Sequence, residues 1–202
     1  MQPLQLSFSL TNYSRFISRK GNKSFHALAK QALARDKNTC QFCGFQAAKF
    51  QEVVNLNQNY RDNKLENIVT ACCFCAQCTF IESVGEQGYG GGTMLYFPEI
   101  SQAELNAICH VLFFAVATNS IHKESAQAIL QSIRMRSGIV DQILGEGMSD
   151  PANLGQLLLD YNANRREPAL LQMLSKLRLL PSRGRFSKQI EYWAKQAGSV
   201  TK

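Results

Sequence analysis

Histidine is nearly missing from this chain: His26, His110 and His122 are the only three in 202 residues, and none lies between Cys40 and Cys78. Chemistry that needs an imidazole titrating near neutrality has no local candidate in that segment. Long apolar runs are missing too. The longest uncharged one, Ala107 to Ala117 (AICHVLFFAVA), falls well short of the ~20 residues that span a bilayer. The first 25 residues lack the continuous apolar core of an export signal, since Leu4, Leu6, Phe8 and Leu10 alternate with other residues before Arg15, Arg19 and Lys20. A cytoplasmic protein without a transmembrane segment is expected.

Acids are the minority, 15 against 22 Lys and Arg, for a net charge of +7. Residues 1–50 carry eight basic residues and one acid, the next hundred carry five and eleven, and residues 151–202 carry nine and three. Two basic ends thus flank an acidic centre. Such a pattern suits nucleic acid, an acidic partner or an anionic membrane face, and charge alone does not separate these. Arg15, Arg19, Lys20 and Lys23, with Arg183, Arg185 and Lys188, are the basic candidates for a nucleic-acid surface. With 45% hydrophobic residues, the chain can bury one sizeable core, or one domain plus a helical extension.

Cysteine is what the chain has in a pattern. Cys40 and Cys43 form one Cys-x-x-Cys, and beyond 28 intervening residues Cys72, Cys73, Cys75 and Cys78 offer overlapping pairs at Cys72/Cys75 and Cys75/Cys78. Two knuckles that each present two thiolates from a tight turn satisfy the tetrahedral preference of zinc. Seven cysteines, an odd and clustered set, fit a reducing compartment and metal-bound thiolates better than a disulfide framework. Cys109, inside the apolar run, reads as a core residue.

Local patterns predict a strand over Leu4–Leu10, a helix over Ser24–Asp36, a strand over Phe50–Leu56, a polar connection over Asn57–Lys64, a second strand near Ile68–Val69 and a helix starting at the second knuckle. Gly85 to Gly92 (GEQGYGGG) is too glycine-rich for regular structure and predicts a loop. Ser101 and Glu104 form a capping box for a helix to about Ala117. Further helices are expected over His122–Ser137, Pro151–Asn162, Pro168–Leu179 and Ser187–Gln196, the last holding Ile190, Tyr192 and Trp193 as core anchors. The expected class is α+β, predominantly helical. Its parts are an N-terminal region 1–84 with a small zinc module (core 38–80), a glycine-rich connection 85–100, and a helical region 101–202.

The stretch Asn67-Ile68-Val69-Thr70-Ala71-Cys72, with the order knuckle, strand, connection, strand, knuckle, helix, resembles the HNH (ββα-metal) nucleases over roughly a fifth of the chain. The resemblance selects Cys72 and Cys75 as partners of Cys40 and Cys43, and implies a structural Zn²⁺ held by those four thiolates. Cys73 and Cys78 then become neighbours. It also exposes what is missing: Asn55 in Glu52-Val53-Val54-Asn55-Leu56 stands where the family carries a histidine base, and Ala76 where it often carries His or Asn. Hydrolysis of a phosphodiester needs a base titrating near neutrality and a hard cation, so the expectation is no enzyme. A metal-dependent endonuclease with displaced groups, or a nucleic-acid-binding zinc module, is the alternative.

The whole chain, above all CQFCGFQAAKFQEVVNLNQNYRDNKLENIVTACCFCAQC followed by GYGGGTMLYFPEISQAEL, resembles the IcmJ (DotN) family of Dot/Icm type IVB secretion systems. That resemblance implies a non-enzymatic adaptor or scaffold in a cytoplasmic coupling complex at the inner membrane. It implies binding to the C-terminal region of the coupling ATPase DotL, alongside DotM and the IcmS-IcmW pair, in support of effector-protein export. Nucleic acid is not expected as a partner.

Overall fold

The computed structural model describes residues 1–85, 89–162 and 172–200. Its order is α1 (Asn12–Ser18), a 3-10 turn (Arg19–Gly21), α2 (Lys23–Arg35), β1 (Gln51–Asn55), β2 (Ile68–Cys72), α3 (Cys73–Gln77), a second 3-10 turn (Ile81–Ser83), β3 (Gly92–Tyr96), α4 (Gln102–Ala117), α5 (Lys123–Arg134), α6 (Ser137–Leu144), α7 (Pro151–Asn162), β4 (Leu177–Pro181) and α8 (Ser187–Val200). Helices predominate over strands, and the strands make two separate two-stranded antiparallel sheets, β1–β2 and β3–β4.

Helix α2 is capped by Asn22, two residues ahead of the expected start at Ser24: its side chain accepts from the amides of Ser24 at 2.9 Å and Phe25 at 3.4 Å. Phe25, Leu28, Ala29 and Leu33 then pack with buried Ala32 against Val53 and Ile68 of the first sheet. At its far end, Asp36 Oδ2 accepts from the backbone N–H of Thr70 at 2.8 Å, which anchors the helix to β2. β1 and β2 pair from Gln51↔Cys72 to Asn55↔Ile68. All five residues of β2 are buried, so this strand is covered on both faces.

Helix α4 starts on the expected capping box: Ser101 Oγ accepts from Glu104 N at 3.2 Å, and Ser101 N donates to Glu104 Oε2 at 2.7 Å. It is apolar on most sides because α3, α5, α8 and β4 all pack on it. Helix α7 fits closely against the second 3-10 turn, where a Cβ on Gly155 would lie 2.4 Å from Glu82 Cα.

Four expectations fail. Residues 4–10 are irregular: Ser7 makes two backbone hydrogen bonds, from its N–H to Cys78 O at 2.9 Å and from Ile81 N to its carbonyl at 3.1 Å, and no ladder forms. Its alternation reports burial alone, with Leu4 in the core and Leu10 outside. Leu177–Leu179, expected as the end of a helix, belongs to β4, which pairs with β3 from Gly92↔Pro181 to Tyr96↔Leu177. Residues 168–171 of that expected helix lie outside the described residues. The region from 101 onward is therefore not all helical, and the connection 85–100 contains β3. The helix expected over His122–Ser137 ends early: the break falls at Met135 and Arg136, and Ser137 already opens α6.

Candidate metal centre

Cys40 and Cys43 sit on a tight turn closed by Gly44 N to Cys40 O at 3.0 Å and Cys40 N to Phe45 O at 2.8 Å. Gly44 has φ +76°, a left-handed conformation that a side chain disfavours. Cys72 is the last residue of β2 and the N-cap of α3, and Cys75 lies one turn into that helix. Strand pairing and turn together bring the four Sγ atoms within 4.8 Å of one another, with Cys43 and Cys72 at 3.6 Å.

These separations suit an ion and not a disulfide. A sulfur–sulfur bond is about 2.05 Å long, whereas four sulfurs around one tetrahedral zinc at about 2.3 Å stand about 3.8 Å apart. All seven cysteines are free thiols. Electrostatics agree. Hydrogen bonds from Cys43, Cys72 and Cys75 hold Cys40 as a thiolate far below the ordinary thiol range. Burial pushes Cys72 and Cys75 well above it. Since burial favours the neutral thiol at Cys72 and Cys75, all four sulfurs can be thiolates together only with a cation among them.

The other cysteines stay apart. Cys78 Sγ donates to Phe74 O at 3.2 Å and burial pushes its thiol up to about 12, so it is a protonated neighbour. Burial also raises Cys73, and pushes Cys109 up to about 12. The structure thus brings together the set that the family resemblance selects, and places Cys73, Cys78 and Cys109 outside it.

Two residues of α4, Asn106 and His110, reach this cluster, and a third, Gln102, supports Asn106 from behind. Asn106 Nδ2 lies 3.2 Å from Cys75 Sγ, His110 Nε2 lies 3.3 Å from Cys72 Sγ, and Gln102 Nε2 donates to Asn106 Oδ1 at 3.0 Å. His110 is stacked between Phe45 of the first knuckle, 3.6 Å away at 6°, and Phe74 of α3, 4.3 Å away at 19°. Burial pushes His110 down to about 3, so its ring is neutral at physiological pH. The available signal was a run of polar residues at 102, 106 and 110, four apart, on an otherwise apolar helix.

Asn55 is held by one guanidinium and two backbone carbonyls. Its Oδ1 accepts from Arg19 Nη1, and its Nδ2 donates to the carbonyls of Asn59 at 3.0 Å and Asp62 at 2.8 Å. Arg19 also donates to Val53 O and to Asn63 Oδ1 at 2.8 Å, and lies over the rings of Phe25 and Tyr60. Burial pushes its guanidinium down to about 10, still charged at neutral pH. Arg19 is only 7% exposed, which removes it from the basic surface expected of it. Among the other histidines, His26 contacts Lys20 O, and His122 stands exposed at the N-terminus of α5 without a capping hydrogen bond from its side chain.

Fold and cluster together define a mixed α/β protein organised around a buried four-cysteine site with metal-binding geometry. No family model matches the chain. Over 194 residues it is 50% identical to the type 4 apparatus protein DotN of Legionella pneumophila, a span of 96% of this chain and 90% of that protein. The chain belongs to the DotN (IcmJ) family of type 4 apparatus proteins, and is a component of a type IV secretion apparatus. Among the described residues, no helix is long and apolar enough to cross a membrane.

Proposed function

We propose that this chain is a non-enzymatic, zinc-stabilised adaptor of the type IV secretion coupling complex. It docks on the C-terminal region of the coupling ATPase DotL, next to DotM and the IcmS-IcmW pair, and supports effector export from the cytoplasmic side of the inner membrane. The observation that carries this reading is the 50% identity to DotN along nearly the whole chain.

The metal part rests on the sulfur geometry. Cys40, Cys43, Cys72 and Cys75 hold one Zn²⁺, whose role is to close the segment 38–80 around its two knuckles. Four thiolates complete a tetrahedron and leave no position for a water molecule, the mark of a structural site. Such sites contribute roughly 10–16 kcal/mol of binding free energy to folding. That far exceeds what a two-stranded sheet and a five-residue helix supply by themselves.

The β1–β2–α3 unit is a degenerate HNH core. Asn55 occupies the position of the base, and the hydrogen bonds of its side chain to Arg19, Asn59 and Asp62 support a structural use of that position. An amide has no proton affinity near pH 7 and cannot activate water.

Co-purification tests the assignment. The zinc-loaded chain should co-elute with fragments of DotL that contain its C-terminal region and not with fragments that lack it. Equal recovery with both, or with neither, would remove DotL as the direct partner.

A further inference from the structure

We infer that Asn106 and His110 are positioning residues of the metal centre: they hold the two thiolates of the second knuckle and thereby make helix α4 part of the site. The inference rests on the proposal that the cluster binds zinc.

The orientation of Asn106 follows from the hydrogen bonds behind it. Leu179 N donates to Gln102 Oε1 at 2.7 Å, which fixes that amide, and Gln102 Nε2 then donates to both Leu179 O at 2.9 Å and Asn106 Oδ1 at 3.0 Å. With its oxygen accepting, Asn106 must turn Nδ2 toward sulfur, where Cys75 lies at 3.2 Å and Cys78 only at 3.9 Å. Asn106 is fully buried, so no water replaces that acceptor. A neutral thiol is a weak acceptor, whereas a thiolate is a strong one. Cys75 Sγ is thus the acceptor at which this buried amide is aimed.

His110 repeats the arrangement one turn later on the other sulfur of the knuckle, with Nε2 3.3 Å from Cys72 Sγ. Its ring cannot swing away, because Phe45 and Phe74 flank its faces and Trp193 meets it edge-on at 5.2 Å. Phe45 belongs to the first knuckle and Phe74 to α3, so the ring is clamped by both halves of the site. Two donors, on two different thiolates of one knuckle, each held by separate neighbours, form a continuous path from β4 through α4 to the metal. Hydrogen bonds that orient metal ligands typically change metal affinity 10–100-fold when removed.

The test uses the full chain with zinc bound. Asn106→Leu keeps the volume and loses the N–H; His110→Phe keeps the ring stack and loses the N–H. Each should release zinc to a chromogenic chelator about 10–100-fold faster than the native chain. Each should also shift the sulfur-to-metal charge-transfer band of the cobalt-substituted protein. Val116→Ala, a buried change on the same helix in the separate cluster with Leu112 and Ala126, should do neither. A second measurement needs no variant: in the native chain loaded with ¹¹³Cd, the side-chain N–H protons of Asn106 and His110 should show scalar coupling to the metal through the hydrogen-bonded sulfur. Native release rates with unshifted bands in both variants would overturn the inference, as would absence of both couplings. Elemental analysis of the native chain separates this from failure of the zinc reading, because only the latter predicts no bound metal.

Discussion

Replacing Arg19 with methionine tests how the first sheet is held to the 59–63 loop. The guanidinium donates to Val53 O, Asn55 Oδ1 and Asn63 Oδ1, and two of those acceptors sit on buried residues. Methionine fills most of the stem volume and supplies no donor. Each buried acceptor left without a partner costs about 1–3 kcal/mol. Relief of the burial of one charge offsets part of this. The expected net loss is about 2–4 kcal/mol, a fall in Tm of roughly 5–15 °C for a chain of this size. Arg19→Lys retains the charge but not the planar fork that reaches three acceptors, so it should lie between the two. Thermal melts and urea titrations at pH 7, with zinc content measured in parallel, read the effect. A loss below about 0.5 kcal/mol for Arg19→Met, at native zinc content, would show that those acceptors are satisfied by other means and that Arg19 is not the tie.

Other perturbations follow from the same contacts. Asp36 is half-buried, which alone would raise its carboxyl, but hydrogen bonds from Arg35 and from the Thr70 N–H hold it below the ordinary carboxylate range. Its stabilisation is therefore complete above the unfolded value near 3.8 and is lost as pH falls through the lower folded value. Asp36→Asn should lower stability at pH 7 by about 1–3 kcal/mol and flatten that acid limb in pH-dependent unfolding curves. Gly155→Ala should cost about 1–3 kcal/mol, since the added Cβ meets the Glu82 backbone at 2.4 Å, and calorimetry would detect it. Cys72→Ser should abolish metal binding, whereas Cys78→Ser should retain it; the reverse pattern in elemental analysis would reassign the fourth sulfur. Purified, metal-titrated protein should not nick supercoiled plasmid with Mg²⁺ or Mn²⁺, and metal-dependent nicking that co-purifies with the chain would restore the nuclease reading.

Where local chemistry decided an element, the sequence announced it. The Ser101–Glu104 capping box, the Pro151 start of α7 and the two Cys-x-x-Cys knuckles all act within a few residues of where they are written. Choosing Cys75 with Cys72 over Cys78 needed a family resemblance, because spacing alone allows both, and the Cys78 thiol is set apart only by its bond to Phe74 O. The β3–β4 pair was invisible for a different reason. Its two strands lie some eighty residues apart, and Leu177-Arg178-Leu179-Leu180 is too short an apolar run for periodicity to separate strand from helix. The same holds for α4: polar residues at 102, 106 and 110 mark a face, but nothing in the sequence says that the face looks at sulfur. The ring of His110 lies on Cys72 and not on Asn55, and its place at the cluster required the fold. Arg19, counted by charge as surface, is an interior donor because Phe16, Phe25 and Tyr60 close around it.

Zinc K-edge X-ray absorption on the purified chain examines the four-sulfur centre most directly. One zinc per chain with four sulfur neighbours at about 2.3 Å and no lighter shell is the predicted spectrum. A shell containing oxygen or nitrogen at about 2.0–2.1 Å would contradict it, because an open or histidine-bearing centre is not the closed structural site that these cysteines describe.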